Sequence, residues 1–279
     1  ASQLGPNAQA AMVYLNKHAG LSHGKIAEVL KKLFGVTISR GGVCQAMQRA
    51  GRRCEGDYQK LIERVNQSRQ VVADETGWRI GGRSAWLHVM VGDDATVYGI
   101  DDRRGFEASR KLLSPDFAGV LVHDGWRAYE RFTQATHQTC LAHLLRRCKD
   151  LLESATRGAV VFPRQIKALL KQVVAVRHQR QASQITAKTA RAKADALERE
   201  LAQRVRLVKT HAGNERLAAH LQRLLPQLTA CLRQPGVDAT NHRAEQAIRP
   251  AVVNRKVWGG NRTVRGADAQ AILMSLLAT

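Results

Sequence analysis

The chain has 279 residues and a formal net charge of +21, because 44 Lys and Arg outnumber 23 Asp and Glu. No apolar run approaches the roughly 18–20 residues of a membrane span, and the first residues show no signal-peptide pattern, so we expect neither a membrane protein nor a secreted one. The charge favours a nucleic-acid partner over a merely solvated basic surface, and five scattered Cys favour a reducing cytoplasm over a disulfide framework.

Two short helices joined by a turn are expected near the start of the chain. Ser22 and Ser39 are placed to cap them, and the letters FGV supply the turn. This is a helix-turn-helix pattern, although an ordinary helical hairpin has the same sequence signature. The apolar positions that would face inward are Ile26, Val29, Leu30, Leu33, Val43 and Met47.

The second of these helices is a candidate DNA-binding element. Its polar side chains are donors suited to phosphates and base edges, as in a recognition helix that enters the major groove. The residues concerned are Arg40, Gln45, Gln48, Arg49, Arg52 and Arg53.

From about Gln70 the hydrophobic period changes to that of strands. RQVVADETGWRI, SAWLHVMVGDD and ATVYGIDDRRG predict an antiparallel meander, with Gly81-Gly82 at the first turn. GFEASRKLLSPDF predicts a helix, and the apolar GVLVHD predicts a buried parallel strand. WRAYERFTQA predicts another helix, and THQTCLAHLLRRCKDLLE a short strand that leads into a helix, which together give a mixed α/β sheet.

The remaining sequence is helical. No strand pattern occurs between residues 151 and 233, which are basic and helical in period, and HRAEQAIRPAVVNRKVWGGNRT predicts a helix that runs into a Gly-rich loop. The predicted regions are a helical, helix-turn-helix-like DNA-binding region (1–66), the first part of an α/β core (67–150), a basic helical insertion (151–236) and the C-terminal part of the core (237–279).

Three carboxylates are candidates for a metal site. Asp74 and Asp124 are each interpreted as ending an apolar strand, and in a mixed sheet such strands can bring them together. Carboxylate oxygens are ligands that Mg²⁺ prefers. Glu245 is the best candidate for a third acid, although a helical ion pair with Arg249 is an equal alternative, and a turn-capping role is the alternative for the two Asp.

Cys140 and His143 stand three residues apart, as in half of a zinc site. No second Cys/His pair at a suitable spacing follows, so a structural role at a strand-to-helix corner is the favoured interpretation.

Five segments in this order resemble the transposases of the insertion sequence 66 family: ADETGWRIGGRSAWLHVMV, IDDRRG, GVLVHDGWRAY, HQTCLAHLLRR and TNHRAEQAIRPAVVNRKVWGGNRT. The resemblance covers the chain from about residue 10 to its end. The family usually has Asn at the position of His242 and Arg at that of Gln246, so the basic surface beside Glu245 is weaker here.

The resemblance implies a bacterial DDE transposase with a ribonuclease H-like core, in which Asp74, Asp124 and Glu245 are the catalytic acids and bind two Mg²⁺ or Mn²⁺ ions. Residues 151–233 would then be an insertion within that core, and Cys140 with His143 a family motif. The resemblance further implies upstream segments that this chain does not contain.

The implied partners are DNA at the element ends and at the target, a second copy in a dimer or larger synaptic assembly, and accessory proteins of the same element. Residues expected to contact DNA near the third acid are Arg243, Arg249, Arg255 and Lys256. Two alternatives remain: a DNA-binding protein without catalysis that derives from such a transposase, and a ribonuclease H-like nuclease that cuts but does not transfer strands.

Overall fold

The strands and helices were obtained from a computed structural model, which describes residues 4–154 and 156–279. The chain divides into two units, one formed by Ala1–Phe117 with His242–Thr279 and the other by Ala118–Asn241. No helix in the described ranges is long and apolar enough to cross a membrane.

The first unit combines an antiparallel sheet with helices from both ends of the sequence. Its strands are β1 (Gln70–Ile80), β2 (Arg83–Val91) and β3 (Thr96–Asp101), paired in the order β3-β2-β1. Its helices are α1 (Pro6–Lys17), α2 (His23–Phe34), α3 (Arg40–Arg53), α4 (Glu55–Asn66), α5 (Phe106–Ser109), α11 (His242–Trp258) and α12 (Val264–Ala278).

The second unit contains a short parallel strand pair and the helical segment. Its strands are β4 (Val120–His123) and β5 (Thr136–Thr139). Its helices are α6 (Leu141–Ser154), α7 (Val161–Gln181), α8 (Ala187–Arg206), α9 (Ala212–Leu224) and α10 (Ala230–Arg233), with 3-10 turns at Arg127–Arg131, Arg157–Val160 and Leu225–Gln227.

The predicted N-terminal helix pair is present as α2 and α3. Ser22 Oγ accepts a hydrogen bond from Lys25 N at 3.3 Å, and Ser39 Oγ accepts one from Gly42 N at 3.0 Å, so both predicted caps are confirmed. Leu33 was expected to face the core, and that prediction is wrong, because its position in the last turn of α2 leaves it 72% exposed. The buried cluster here contains Met12, Ile26, Leu30, Val43, Ala46, Met47 and, from α12, Leu273.

The predicted meander is confirmed, together with the tight turn that joins β1 to β2. Gly81 and Gly82 have φ of +58° and +82°, and the pairing of Ile80 with Arg83 leaves only those two residues in the loop. Two consecutive positive φ values define the hairpin turn that Gly-Gly favours. The expectation that Asp74 ends its strand is wrong, since β1 continues to Ile80 and Trp78 is buried.

Two predicted helices are much shorter than their patterns indicated. The helix expected over residues 105–117 ends at Ser109, after which Lys111 N and Leu112 N donate to Ala108 O and Ser109 O in tighter turns. Beyond these turns the Asn66 side chain donates to Leu112 O at 3.0 Å and accepts from Ser114 N at 2.6 Å, which are backbone groups that a longer helix would use. The helix expected over 126–135 is the 3-10 turn at Arg127–Arg131, since Phe132 O is instead bonded to the His137 ring at 3.0 Å.

Candidate active site

Asp74 lies on the face of the sheet that α11 covers. In the strand register Asp74 pairs with Val89, and Val89 pairs with Tyr98, so the three side chains project to the same face. The Tyr98 hydroxyl donates to Ala247 O of α11 at 2.7 Å, which identifies that face. Asp74 itself is half-buried.

Glu245 lies in the first turn of α11, two residues before the carbonyl that Tyr98 binds. The start of the helix is held to the sheet because the Arg243 guanidinium donates to Gly92 O, just beyond β2. Glu245 is half-buried. Two of the three predicted acids therefore belong to elements of one unit that pack against each other.

Asp124 belongs to the second unit and directly follows β4, as predicted. Its Oδ1 accepts a hydrogen bond from Trp126 N at 2.8 Å, which is a turn held by an Asp side chain. Asp124 is half-buried as a residue, and the strand before it is fully buried. The turn-capping alternative is thus realised at one oxygen of Asp124.

A pair of His side chains orders the backbone beside Asp124. Burial, followed by the neighbouring His137 and Arg223, lowers the pKa of His123 to about 3, so its ring is neutral. Its Nδ1 accepts from Gly125 N at 3.0 Å, which leaves the proton on Nε2 to be donated to His137 Nδ1 at 3.0 Å. His137 then donates from Nε2 to Phe132 O.

The acid next to Asp74 in sequence has a structural role. The Glu75 side chain is 2% exposed and pairs with Arg104 at 2.9 Å, on the face opposite to Asp74. The Arg104 guanidinium also lies 4.6 Å from the centre of the Trp86 ring. A buried carboxylate is stabilised in this way by a partner, so Glu75 is engaged in an ion pair on the far side of the strand from Asp74.

The basic residues of α11 differ in their availability. Arg249 and Lys256 are exposed. Arg243 is engaged with the backbone at Gly92, and Arg255 is half-buried, with its Nη1 3.6 Å from the place where a Cβ would stand on Gly77. Arg249 and Lys256 are therefore the members of this group best placed to meet a DNA phosphate.

The polar residues of α3 lie mostly on its outer side, opposite the buried Val43, Ala46 and Met47. Arg53 Nη2 donates to Gln9 Oε1 at 2.5 Å, so its side chain also braces α1. Arg40, Gln45, Arg52 and Arg53 are exposed, and Gln48 and Arg49 are half-buried.

Cys140 and His143 lie where β5 passes into α6. Cys140 is buried, and its backbone N–H donates to His123 O at 2.7 Å. Within residues 4–154 and 156–279, no group of three or more His, Cys, Asp or Glu is arranged to hold a metal ion. Asp74 and Glu245 lie in one unit and Asp124 lies in the other.

A mixed α/β chain with a charge of +21 has the electrostatic features of a nucleic-acid-binding protein. The model of the transposase IS66 family matches residues 1–269, and the chain belongs to that family. This confirms the resemblance that the sequence motifs indicated.

One curated relative is an uncharacterized protein, y4qI, from Sinorhizobium fredii (strain NBRC 101917 / NGR234). It is 30% identical over 142 residues, which cover 42% of this chain and 26% of that protein. The chain therefore spans about a quarter of the length of this relative.

Proposed function

We propose that this chain is the catalytic part of a DDE transposase with a ribonuclease H-like core. It would cut DNA strands at the ends of an insertion element and join the freed 3′-OH ends to target DNA. Membership of the IS66 transposase family supports this proposal. The structural observation that carries it is the packing of β1, which bears Asp74, against α11, which bears Glu245.

The proposed ligands of two Mg²⁺ ions are Asp74, Asp124 and Glu245. All three are half-buried carboxylates, and carboxylate oxygens are ligands that Mg²⁺ accepts while it keeps several waters, so the donor chemistry fits. Bound ions would supply Lewis-acid chemistry that stabilises charge on the attacking and leaving oxygens of phosphoryl transfer.

The residues of this chain would orient DNA for two displacements at phosphorus. In the first, water attacks a phosphodiester and loses a proton to solvent, the bond from phosphorus to the 3′ oxygen breaks, and that oxygen takes up a proton. In the second, the new 3′-OH attacks a target phosphodiester and loses its proton to solvent, while the bond from phosphorus to the 3′ oxygen of the target strand breaks and that oxygen takes up a proton. Arg249 and Lys256 would neutralise phosphates on either side of the reacting one.

The proposed DNA contacts extend to the N-terminal region. The exposed Arg40, Gln45 and Arg52 of α3 would bind the duplex in the manner of a recognition helix. The proposal includes a homodimer or larger assembly that holds two element ends, possible dependence on accessory proteins of the element, and a location in the bacterial cytoplasm.

The first prediction concerns the three acids. We expect Asp74→Asn, Asp124→Asn and Glu245→Gln each to reduce Mg²⁺-dependent DNA nicking by about two orders of magnitude or more, the usual size of effect when a preorganised electrostatic group is lost. Each should also weaken Mn²⁺ binding, measured by electron paramagnetic resonance of the free ion. Nicking of a plasmid that carries element ends gives the activity.

Asp102→Asn is the matched control, because Asp102 is an acid in an exposed turn of the first unit. Unchanged nicking by any one of the three variants would remove that residue from the site. A labelled 3′-OH donor end separates the activities: cutting without joining would identify a nuclease, and salt-sensitive binding without cutting would identify a DNA-binding protein.

A further inference from the structure

The backbone that follows Asp124 lies close against α9, in a conformation that favours glycine. Gly125 has φ of +90°, which L-residues rarely adopt. A Cβ at this position would stand 3.2 Å from both Leu224 Cδ1 and Thr139 Cγ2, and 3.7 Å from His220 Nε2. The helical segment therefore reaches the residue next to the candidate catalytic acid.

Both polar backbone groups of Gly125 have side-chain partners. The N–H donates to His123 Nδ1 at 3.0 Å, and the C=O accepts from Arg223 Nη2 at 2.9 Å. Arg223 lies in the last turn of α9 and its guanidinium forms an ion pair with Glu130. The planar guanidinium of Arg223 thus connects the carbonyl of Gly125 to Glu130, which lies in the 3-10 turn at Arg127–Arg131.

The charge of Arg223 also acts on Asp124. The Asp124 carboxylate is among the groups that favour the charged form of Arg223, opposing burial and the neighbouring Arg127. Burial, with help from Arg147, lowers the pKa of His220 to about 4, so at pH 7 its neutral ring can accept from Arg223 at 3.3 Å. Arg223 is therefore a fixed positive charge beside the candidate acid.

We propose that Arg223 is a positioning residue for Asp124: it fixes the Asp124–Gly125 peptide, and through it the direction of the Asp124 carboxylate. This inference rests on the transposase function proposed above. The helical segment then contributes to the reaction through one side chain, in addition to any contact that it makes with DNA. Outer partners that orient a metal ligand commonly change metal affinity or activity by about 10–100-fold when they are lost.

The test uses Arg223→Lys and Arg223→Gln in the full chain. Lys keeps the charge, but its single nitrogen cannot occupy both the Nη2 position at Gly125 O and the Nη1 position at Glu130. We expect both variants to lower kcat for nicking and the affinity for Mn²⁺ by about 10–100-fold, with KM for DNA unchanged. The ¹⁵N–¹H resonances of Asp124 and Gly125 should shift, which reports the backbone directly.

Arg216→Lys is the control, because Arg216 is an exposed arginine on the same helix. It should retain the wild-type kcat, Mn²⁺ affinity and resonances. The inference is overturned if wild type cuts DNA and folded Arg223→Lys matches it in kcat and Mn²⁺ affinity. If Arg223→Gln fails to fold, Arg223→Lys alone decides. If wild type itself neither binds Mn²⁺ nor cuts, the proposed function fails first and this inference fails with it.

Discussion

Lys17 is a cation that the fold has taken out of water. It is 6% exposed at the end of α1, its ammonium donates to Gln270 Oε1, and it lies 5.9 Å from the centre of the Trp258 ring. Burial disfavours the charged form and lowers the pKa of Lys17 to about 7. The side chain links α1 to α11 and α12, the helices that cover the sheet.

The buried Lys17 predicts a dependence of stability on pH. The unfolded chain holds this proton up to about pH 10.4, and the folded chain only up to about 7, so unfolding takes up a proton between these values. Below pH 7 the burial of the charged Lys17 lowers the free energy of unfolding by its full amount. This reduction declines as pH rises, by up to about 1.4 kcal/mol per pH unit.

We expect Lys17→Met to remove this rise in stability. Urea unfolding at pH 7, 8 and 9 should give a free energy of unfolding that increases with pH in wild type relative to the variant. Lys25→Met, at an exposed position of α2, should follow wild type. Parallel curves for wild type and Lys17→Met would contradict the prediction.

At this scale the sequence predicted the positions of some candidate residues and not of others. The position of Asp124 directly after a buried strand could be predicted, because a short apolar run that ends in an acid has few interpretations. The position of Asp74 inside β1 could not, since an apolar run into two acids resembles a strand end and Trp78 continues the burial beyond them. The contact of Arg223 with Gly125 could not be predicted, because nothing in the sequence distinguishes Arg223 from the other arginines of a basic helix.

The contact between α3 and α12 depends on one glycine. A Cβ on Gly51 would stand 2.8 Å from Ala269 Cβ and 2.9 Å from Ala269 Cα, distances that require the helices to separate. Gly51 is buried, and α12 in turn packs on β3. The glycine therefore sets how closely the candidate DNA-binding helix approaches the sheet unit.

Gly51→Ala is expected to destabilise the chain by about 1–3 kcal/mol, the usual cost of overpacking, even though Ala has the higher helix propensity. Thermal and urea unfolding would measure the loss. Gly56→Ala in α4 is the matched control: a Cβ there meets nothing within 4 Å, so a gain of up to about 1 kcal/mol is expected. Equal stability changes in the two variants would refute the close-packing explanation.

Element types were predictable wherever a periodic pattern was long. Local chemistry predicted the three strands of the meander and the helix caps at Ser22 and Ser39. It also predicted that the described part of residues 151–233 is helical. It did not predict the shortened α5, because Leu112 O and Ser114 N, which a longer helix would use, are bound by the Asn66 side chain of another helix. Side-chain hydrogen bonds to the backbone compete with a helix for the same groups.

The net charge of +21 acts over the whole molecule. This total already subtracts the 23 Asp and Glu, some of which pair locally with cations, as Asp94 does with Arg64 and Glu198 with Arg233. Exposed cationic side chains such as Lys256 and Arg249 add to the positive electrostatic potential at the protein surface. The total could be read from the sequence, but which cations are already engaged could not.

DNA binding should therefore depend steeply on salt. Each phosphate contact contributes about −0.9 to the slope of log K against log salt, so six or more contacts lower the affinity by about 10³-fold or more between 50 and 200 mM. Lys256→Gln should reduce the magnitude of the slope by about one. Lys60→Gln is the control, because Lys60 is paired with Asp57 at 3.1 Å. A binding constant independent of salt would contradict the electrostatic account.

The order of the two units along the chain constrains how the protein can form during synthesis. The first unit is interrupted by Ala118–Asn241, and α11 and α12 are made only after that whole stretch. Until then the emerging meander lacks the helices that cover it and the Gly51 surface of α3 has no partner, a state that exposes apolar residues and strand edges to other chains. On the ribosome, the first unit cannot be completed before Ala118–Asn241 has been made, so slow or interrupted translation through that stretch would yield aggregation-prone nascent chains rather than a folded first unit.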